Sequence, residues 1–358
     1  MTTKRVEFNE WLPDQPANSG AVIDAKNVFP VSIGYQPFLS SEDYSGAAIE
    51  HLNSIFVAKF GDNVEAFAGS LNYLYKINNT TLALDDVSNT GSSYGGNSNW
   101  KFSQFGSTIL AVNNLNLLQY KDVGSSSLFQ DVTSSPVAKF ITTVRDFVVC
   151  ANLNAGTDAN KIAWSDINNY ANWTPGATSQ ADSQVLPDGG NITGITGGEF
   201  GLVFLDKAIV RLQYIGSPLF FQVDTISRGL GCLEGNSIAQ YGGTTFFLSD
   251  DGFYSCDGQT VSGIGQEKVD RWFFDDCDLN KLSTMSAAVD PIKKLVVWNY
   301  GNVSGTRSIL IYNWQINKWS RAETTSDVVG NLATTGTTIE GLSSEYVVDA
   351  GSFVIGKE

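Results

Sequence analysis

The sequence predicts an all-β chain, a β-propeller of about six to seven blades, and three observations carry that expectation. Helical periodicity is scarce, and short apolar runs bounded by Gly, Asn and Asp recur along the whole chain. One hairpin design also repeats at intervals of roughly 40 residues, the length of a four-stranded blade. In chain order, residues 1–45 read as a lead-in segment. Within it VIDAKNVFPVSIGYQPF (Val22 to Phe38) supplies extra strand and a turn at Ile33-Gly34-Tyr35, available to complete the last blade. Residues 46–350 carry the propeller. There FGSTILAVNNLNLLQYKD (Phe105 to Asp122), FGLVFLDKAIVRLQYIG (Phe200 to Gly216) and YGGTTFFLSDDGFYSCDG (Tyr241 to Gly258) share one plan: aromatic, glycine, apolar strand, polar turn, second strand. Val64 to Asn78, Asp146 to Asp166 and Lys293 to Ser320 are variants with altered turns. Residues 351–358 stop in mid-strand pattern, as a natural end or a truncated C-terminal strand. Paired sandwiches or a β-solenoid are the rival plans, but solenoid repeats are shorter and sandwich hairpins less alike.

At 358 residues the chain exceeds what one core serves, so its 42% of hydrophobic residues is expected in several distributed cores. Thirty-five glycines against 9 prolines favour frequent tight turns. The 37 acidic and 22 basic residues leave a net charge of −15, which argues against a protein that grips nucleic-acid phosphates; the plainer reading of that balance is solubility. Cys150, Cys232, Cys256 and Cys277 lack the close paired spacing of a zinc site and are too few for a disulfide scaffold, so reduced, buried thiols are expected. No apolar stretch follows Lys4 and Arg5, and no run of about 18 apolar residues occurs, so neither an export signal nor a membrane anchor is expected.

Residues suited to chemistry are sparse. With His51 as the single histidine, a multi-histidine metal site is excluded, and any histidine-assisted nucleophile would have to use this residue. Asp250-Asp251-Gly252 reads as a hairpin turn, with cation binding as the alternative. Asp275, Asp276 and Asp278 in WFFDDCD form the densest acidic cluster, a solvated turn or else a carboxylate set for calcium or glycosidic cleavage. Trp164, Trp173, Trp272, Trp298, Trp314 and Trp319 have flat faces that suit a sugar ring. Most of them bracket polar turns, where the expected use is a buried ring with its indole N–H on a turn carbonyl. Gly189-Gly190 and Gly197-Gly198 lack the Lys-Ser/Thr and the helix of a phosphate loop. No cofactor and no bound metal are expected.

Taken in order, four stretches resemble the run of motifs in the tail nozzle, or head-stabilisation, proteins of short-tailed bacteriophages. They are WSDINNYANW (Trp164 to Trp173), ADSQVLPDGGNITGITGGEFGLVFLDKAIVRLQYIGSPLFFQVDTISRGLGC (Ala181 to Cys232), FLSDDGFYSCDGQTVSGIGQEKVDRWFF and ILIYNWQINKWS (Ile309 to Ser320). The opening WLPDQPANSGAVIDAKNVFPVSIGYQPF (Trp11 to Phe38) is similar to the start of those proteins, so the resemblance covers nearly the whole chain.

That resemblance implies a non-enzymatic structural virion protein, assembled in the host cytoplasm as a homo-oligomeric ring, hexameric in the family. The ring would sit below the portal and its adaptor protein, meet tail fibre or spike proteins, and act as channel and gate for genomic DNA without binding it specifically. Longer members carry further domains, so the stop at Glu358 puts the gate or host-facing end in doubt. Six copies at −15 each carry about −90, which suits a lumen that a polyanion must slide through. On this reading Asp250, Asp251, Asp275, Asp276 and Asp278 are candidate lumen residues. Trp11, Pro13 and Tyr35, aromatics and a proline in the lead-in, are candidate partner contacts, with core packing as the alternative. A carbohydrate-binding or glycan-cleaving propeller and a monomeric scaffold for protein partners are the other function classes.

Overall fold

Strands with no polar face decide the architecture. TILAV (Thr108–Val112), FVVCANL (Phe147–Leu153) and GLVFL (Gly201–Leu205) are buried at every position. A sheet built on such strands needs cover on both faces. In the computed structural model, which describes residues 9–331 apart from 17, 40–47, 49, 90–92 and 96–98, six four-stranded antiparallel sheets cover one another around a common axis. The chain is a six-bladed β-propeller, with blades at 54–86, 101–131, 138–185, 192–228, 239–263 and 286–324. The expected strand at 351–358 lies outside the described residues.

Each blade is a simple meander, first strand to fourth. First strands of neighbouring blades touch one another at the axis. Fourth strands form the outer edge and are short and polar in most blades: LDD (Leu84–Asp86), QD (Gln130–Asp131), DSQV (Asp182–Val185) and VSG (Val261–Gly263). Short, polar edges limit pairing with other chains. The six hairpins read from the sequence are the second and third strands of the six blades. In blades 1, 2 and 5 an aromatic-glycine pair closes the first strand, with Gly61, Gly106 and Gly242 at φ of 58°, 59° and 58° in the two-residue turn that follows; in blade 4 Phe200-Gly201 instead opens the second strand.

Blade 6 departs from the polar-edge rule, because the lead-in covers it. All four of its strands come from its own segment, so the lead-in does not complete the last blade as expected; it adds a layer outside. Residues 25–27 run parallel to the edge strand KWSRAET (Lys318–Thr324), with Asn27 N–H donating to Arg321 O at 2.7 Å and Arg321 N–H to Ala25 O at 3.0 Å. A small hairpin, Val28–Pro30 and Tyr35–Pro37, extends this layer. Trp319 in that edge strand is fully buried, its ring packed against Phe253, Trp298 and Tyr312. Arg321 holds Asp24 through two hydrogen bonds of 2.9 Å.

The start of the lead-in is fastened just as firmly. Trp11 is 1% exposed and meets Trp272 edge to face at 5.0 Å. The Tyr35 hydroxyl accepts from Trp11 N–H at 2.8 Å and donates to Trp319 O at 3.4 Å. Trp11 and Tyr35 are therefore anchors within the chain, Trp11 in the core as the core-packing alternative has it and Tyr35 half-buried; Pro13 is half-buried in the turn beside them. Asp14 caps the helix Asp270–Asp276 from far upstream, accepting from Arg271 N–H at 2.9 Å and Trp272 N–H at 2.8 Å. Val269, the helix's own cap residue, has no side-chain acceptor to offer.

Among the described residues no strand is shared between blades 6 and 1; side chains fasten the segment after blade 6 to that blade's first strand and, through His51, to the approach to blade 1. Val329 N–H donates to Ser286 Oγ at 3.0 Å, Val289 N–H to Asn331 Oδ1 at 2.7 Å, and His51 meets Asp327 at 2.8 Å. Trp11→Ala is expected to lower stability by about 3–5 kcal/mol through lost burial, and Asp14→Ala by about 1 kcal/mol through the lost cap. Urea unfolding followed by tryptophan fluorescence measures both.

Candidate functional site

In a meander propeller, the turns between second and third strands and the connections between blades share one end of the ring. Asp250 and Asp251 lie in such a turn, between Thr244–Leu248 and Phe253–Cys256 of blade 5. Asp275, Asp276 and Asp278 lie in the connection from blade 5 to blade 6, in and just after the helix Asp270–Asp276. The fold thus brings all five acids chosen from the sequence to the same end of neighbouring blades.

Their surroundings differ. Asp250 is exposed and pairs with Lys207, whose hydrogen bond holds its carboxyl below the usual range. Asp251 accepts from the Tyr254 hydroxyl at 2.9 Å; burial first, and then this carboxylate, push that phenol up to about 12. Asp276 accepts from the Tyr300 hydroxyl at 2.8 Å, and Asp278 caps the turn Leu279–Thr284 through Asn280 N–H at 3.1 Å. Asp275 is exposed. Asp250, Asp251 and Asp275 therefore face solvent, while Asp276 and Asp278 serve the local structure.

A sixth carboxylate at this end, Asp270, escaped sequence reading. Its oxygens occupy the space where a Cβ on Gly252 or Gly265 would sit, and one oxygen accepts from Phe253 N–H at 3.0 Å. Burial, reinforced by Asp14 and Asp251, pushes Asp270 up to about 7. The Gly252 read as a turn residue is thus also needed to admit this side chain. Among the described residues, no three His, Cys, Asp or Glu side chains converge as a metal ion would need.

Beside the acids, the axis is closed at this end. Lys101, at the start of blade 2, donates to Asn236 Oδ1 in the connection between blades 4 and 5. Asn236 Nδ2 in turn donates to Ser283 O at 2.7 Å, and Asn99 Nδ2 reaches the same carbonyl at 3.0 Å. Burial lowers Lys101 to about 8 against the opposing pull of Glu234. Toward the other end Ser103 and Thr143 join neighbouring first strands at 2.9 Å, and Gln240 Nε2 donates to Gly197 O at 2.8 Å. Contacts this short across the axis leave no passage for a duplex whose major groove alone is about 12 Å wide.

Most tryptophans behave as turn anchors. The indoles of Trp164, Trp173, Trp298 and Trp319 are buried and donate to the carbonyls of Gln180, Tyr170, Ser237 and Ile264 at 2.7–3.1 Å. Trp272 and Trp314 are only half-buried. All four cysteines are free and buried.

Fold and site together define a six-bladed propeller with a closed axis and an acidic end. No known protein family and no curated protein matches the chain.

The folded Asp270 carboxyl titrates near 7 and an unfolded one near 3.9, so between those values the native state keeps a proton that the unfolded chain has released. The Asp270 contribution to stability is present at pH 4 and lost as pH rises to 7. Asp270→Asn, which keeps an oxygen for Phe253 N–H, is expected to gain stability relative to wild type across that window and to level off above it. Urea midpoints of both proteins at pH 4, 5.5, 7 and 8 measure this.

Proposed function

We propose that the chain is a structural, non-catalytic ring subunit of a phage tail nozzle, acting as a passage for DNA that it does not grip. The observation that carries this reading is the gathering of Asp250, Asp251 and Asp275, exposed acids from a turn of blade 5 and the connection that follows it, at one end of the propeller in a chain whose net charge is −15. Phosphate affinity grows with each basic contact, so a wall with an excess of carboxylates keeps a polyanion mobile. The closed axis supports a lumen formed between copies of the chain, with each propeller standing in the wall. The resemblance of the ordered motifs to tail nozzle proteins supports the same arrangement, with an adaptor ring above, fibre or spike proteins outside, and the virion tail as its location.

Sedimentation and negative-stain imaging of the purified protein, alone and with an adaptor ring, test the proposal. Rings with a central hole are expected, and a persistent monomer in both conditions would overturn it. In assembled rings, the triple variant Asp250→Lys, Asp251→Lys and Asp275→Lys is expected to retain duplex DNA in a salt-sensitive manner where the wild type does not.

A further inference from the structure

We infer that the cleft between blades 5 and 6, at the end opposite the acids, binds a pyranose ring of a glycan. The cleft is opened by a change of residue size along two strands. On the second strand of blade 5 the side chains facing blade 6 run Leu248, Phe246, Thr244, and on the third strand they run Phe253, Ser255. Leu248, Phe246 and Phe253 fill the interior, where they join the largest core among the described residues. At Thr244 and Ser255 the side chains become too small to reach Tyr312 and Trp314 across the gap. A cavity of about 220 Å³ remains, lined by Tyr241, Thr244, Phe246, Ser255, Tyr312 and Trp314.

The chemistry of its walls fits a sugar better than other small ligands. Tyr241 and Trp314 lie 5.6 Å apart with their planes tilted by 36°, and Phe246 backs Trp314 at 5.7 Å. Tyr241 is 44% exposed at the mouth, so the aromatic surface is accessible. The hydroxyls of Tyr241, Thr244 and Ser255 have no hydrogen-bond partner among the described residues. Lys294 Nζ stands 5.6 Å from the centre of the Tyr241 ring. A pyranose has an apolar C–H face for the rings and an equatorial belt of hydroxyls for the three free hydroxyls and the ammonium. A wholly apolar ligand would leave those groups unpaired, at a cost in affinity, and a phosphate would find a single cation. The volume suits one ring and not an extended ligand. This inference stands independently of ring assembly, since the cleft lies within one chain.

Saturation-transfer NMR on the full chain tests it, with the methyl glycosides of glucose, galactose and N-acetylglucosamine as probes. At least one is expected to show saturable transfer from aromatic protons, with a Kd of about 1 mM or tighter. Ser255→Val, which removes a hydroxyl and fills the cavity, is expected to weaken binding tenfold or more without shifting the thermal midpoint; Trp314→Leu is expected to remove the transfer. Absence of saturable transfer with all three probes would overturn the inference, as would binding unchanged in Ser255→Val.

Discussion

Burial of sheets that are apolar on both faces is the constraint on which the rest of this structure depends. A blade whose second strand reads FVVCANL or GLVFL cannot present either face to water, and stacking pairs of blades only moves the problem to the outermost sheets. Closing six blades into a ring removes it, since every face then meets another blade and the edge strands left at the rim are short and polar in four of the six blades. Among the described residues no strand is shared between blades 6 and 1, and Val329 and Asn331 of the segment that follows are hydrogen-bonded to the first strand of blade 6.

The lead-in acts as an outer brace on blade 6. By pairing with the edge strand of blade 6 and capping the helix Asp270–Asp276, it ties the connection that carries the acids to the edge of the ring. Asp270 is held in a space open only because residues 252 and 265 lack side chains, and Asp14 faces the same helix terminus. The acidic end is thus braced by carboxylates used as structural acceptors, while Asp250, Asp251 and Asp275 remain available to solvent.

The two ends of the propeller differ in chemistry. One gathers exposed acids beside an axis bridged by Lys101, Asn236 and the Ser283 carbonyl. The other opens the aromatic cleft of Tyr241 and Trp314. Because the axis is bridged at hydrogen-bond distance, the nozzle reading requires several copies to enclose a lumen. A subunit with distinct ends suits that role, because copies arranged around a ring can turn the same chemistry inward.

The sequence by itself determined the all-β class, the six hairpins and the use of most of the bracketing tryptophans as turn anchors. Each of these is written in local periodicity and turn chemistry, which neighbouring residues dictate. Only the tertiary structure decided which blade the lead-in braces, that Trp11 is buried with Tyr35 half-buried beside it, and that burial raises the Asp270 carboxyl. It likewise decided that Asp250 and Asp275, 25 positions apart, share one end of the ring. Those outcomes depend on contacts outside each residue's own segment, some of them between segments hundreds of residues apart, such as Asp14 with Arg271. A residue's burial is set by what packs on it, and no pattern within its own segment records that.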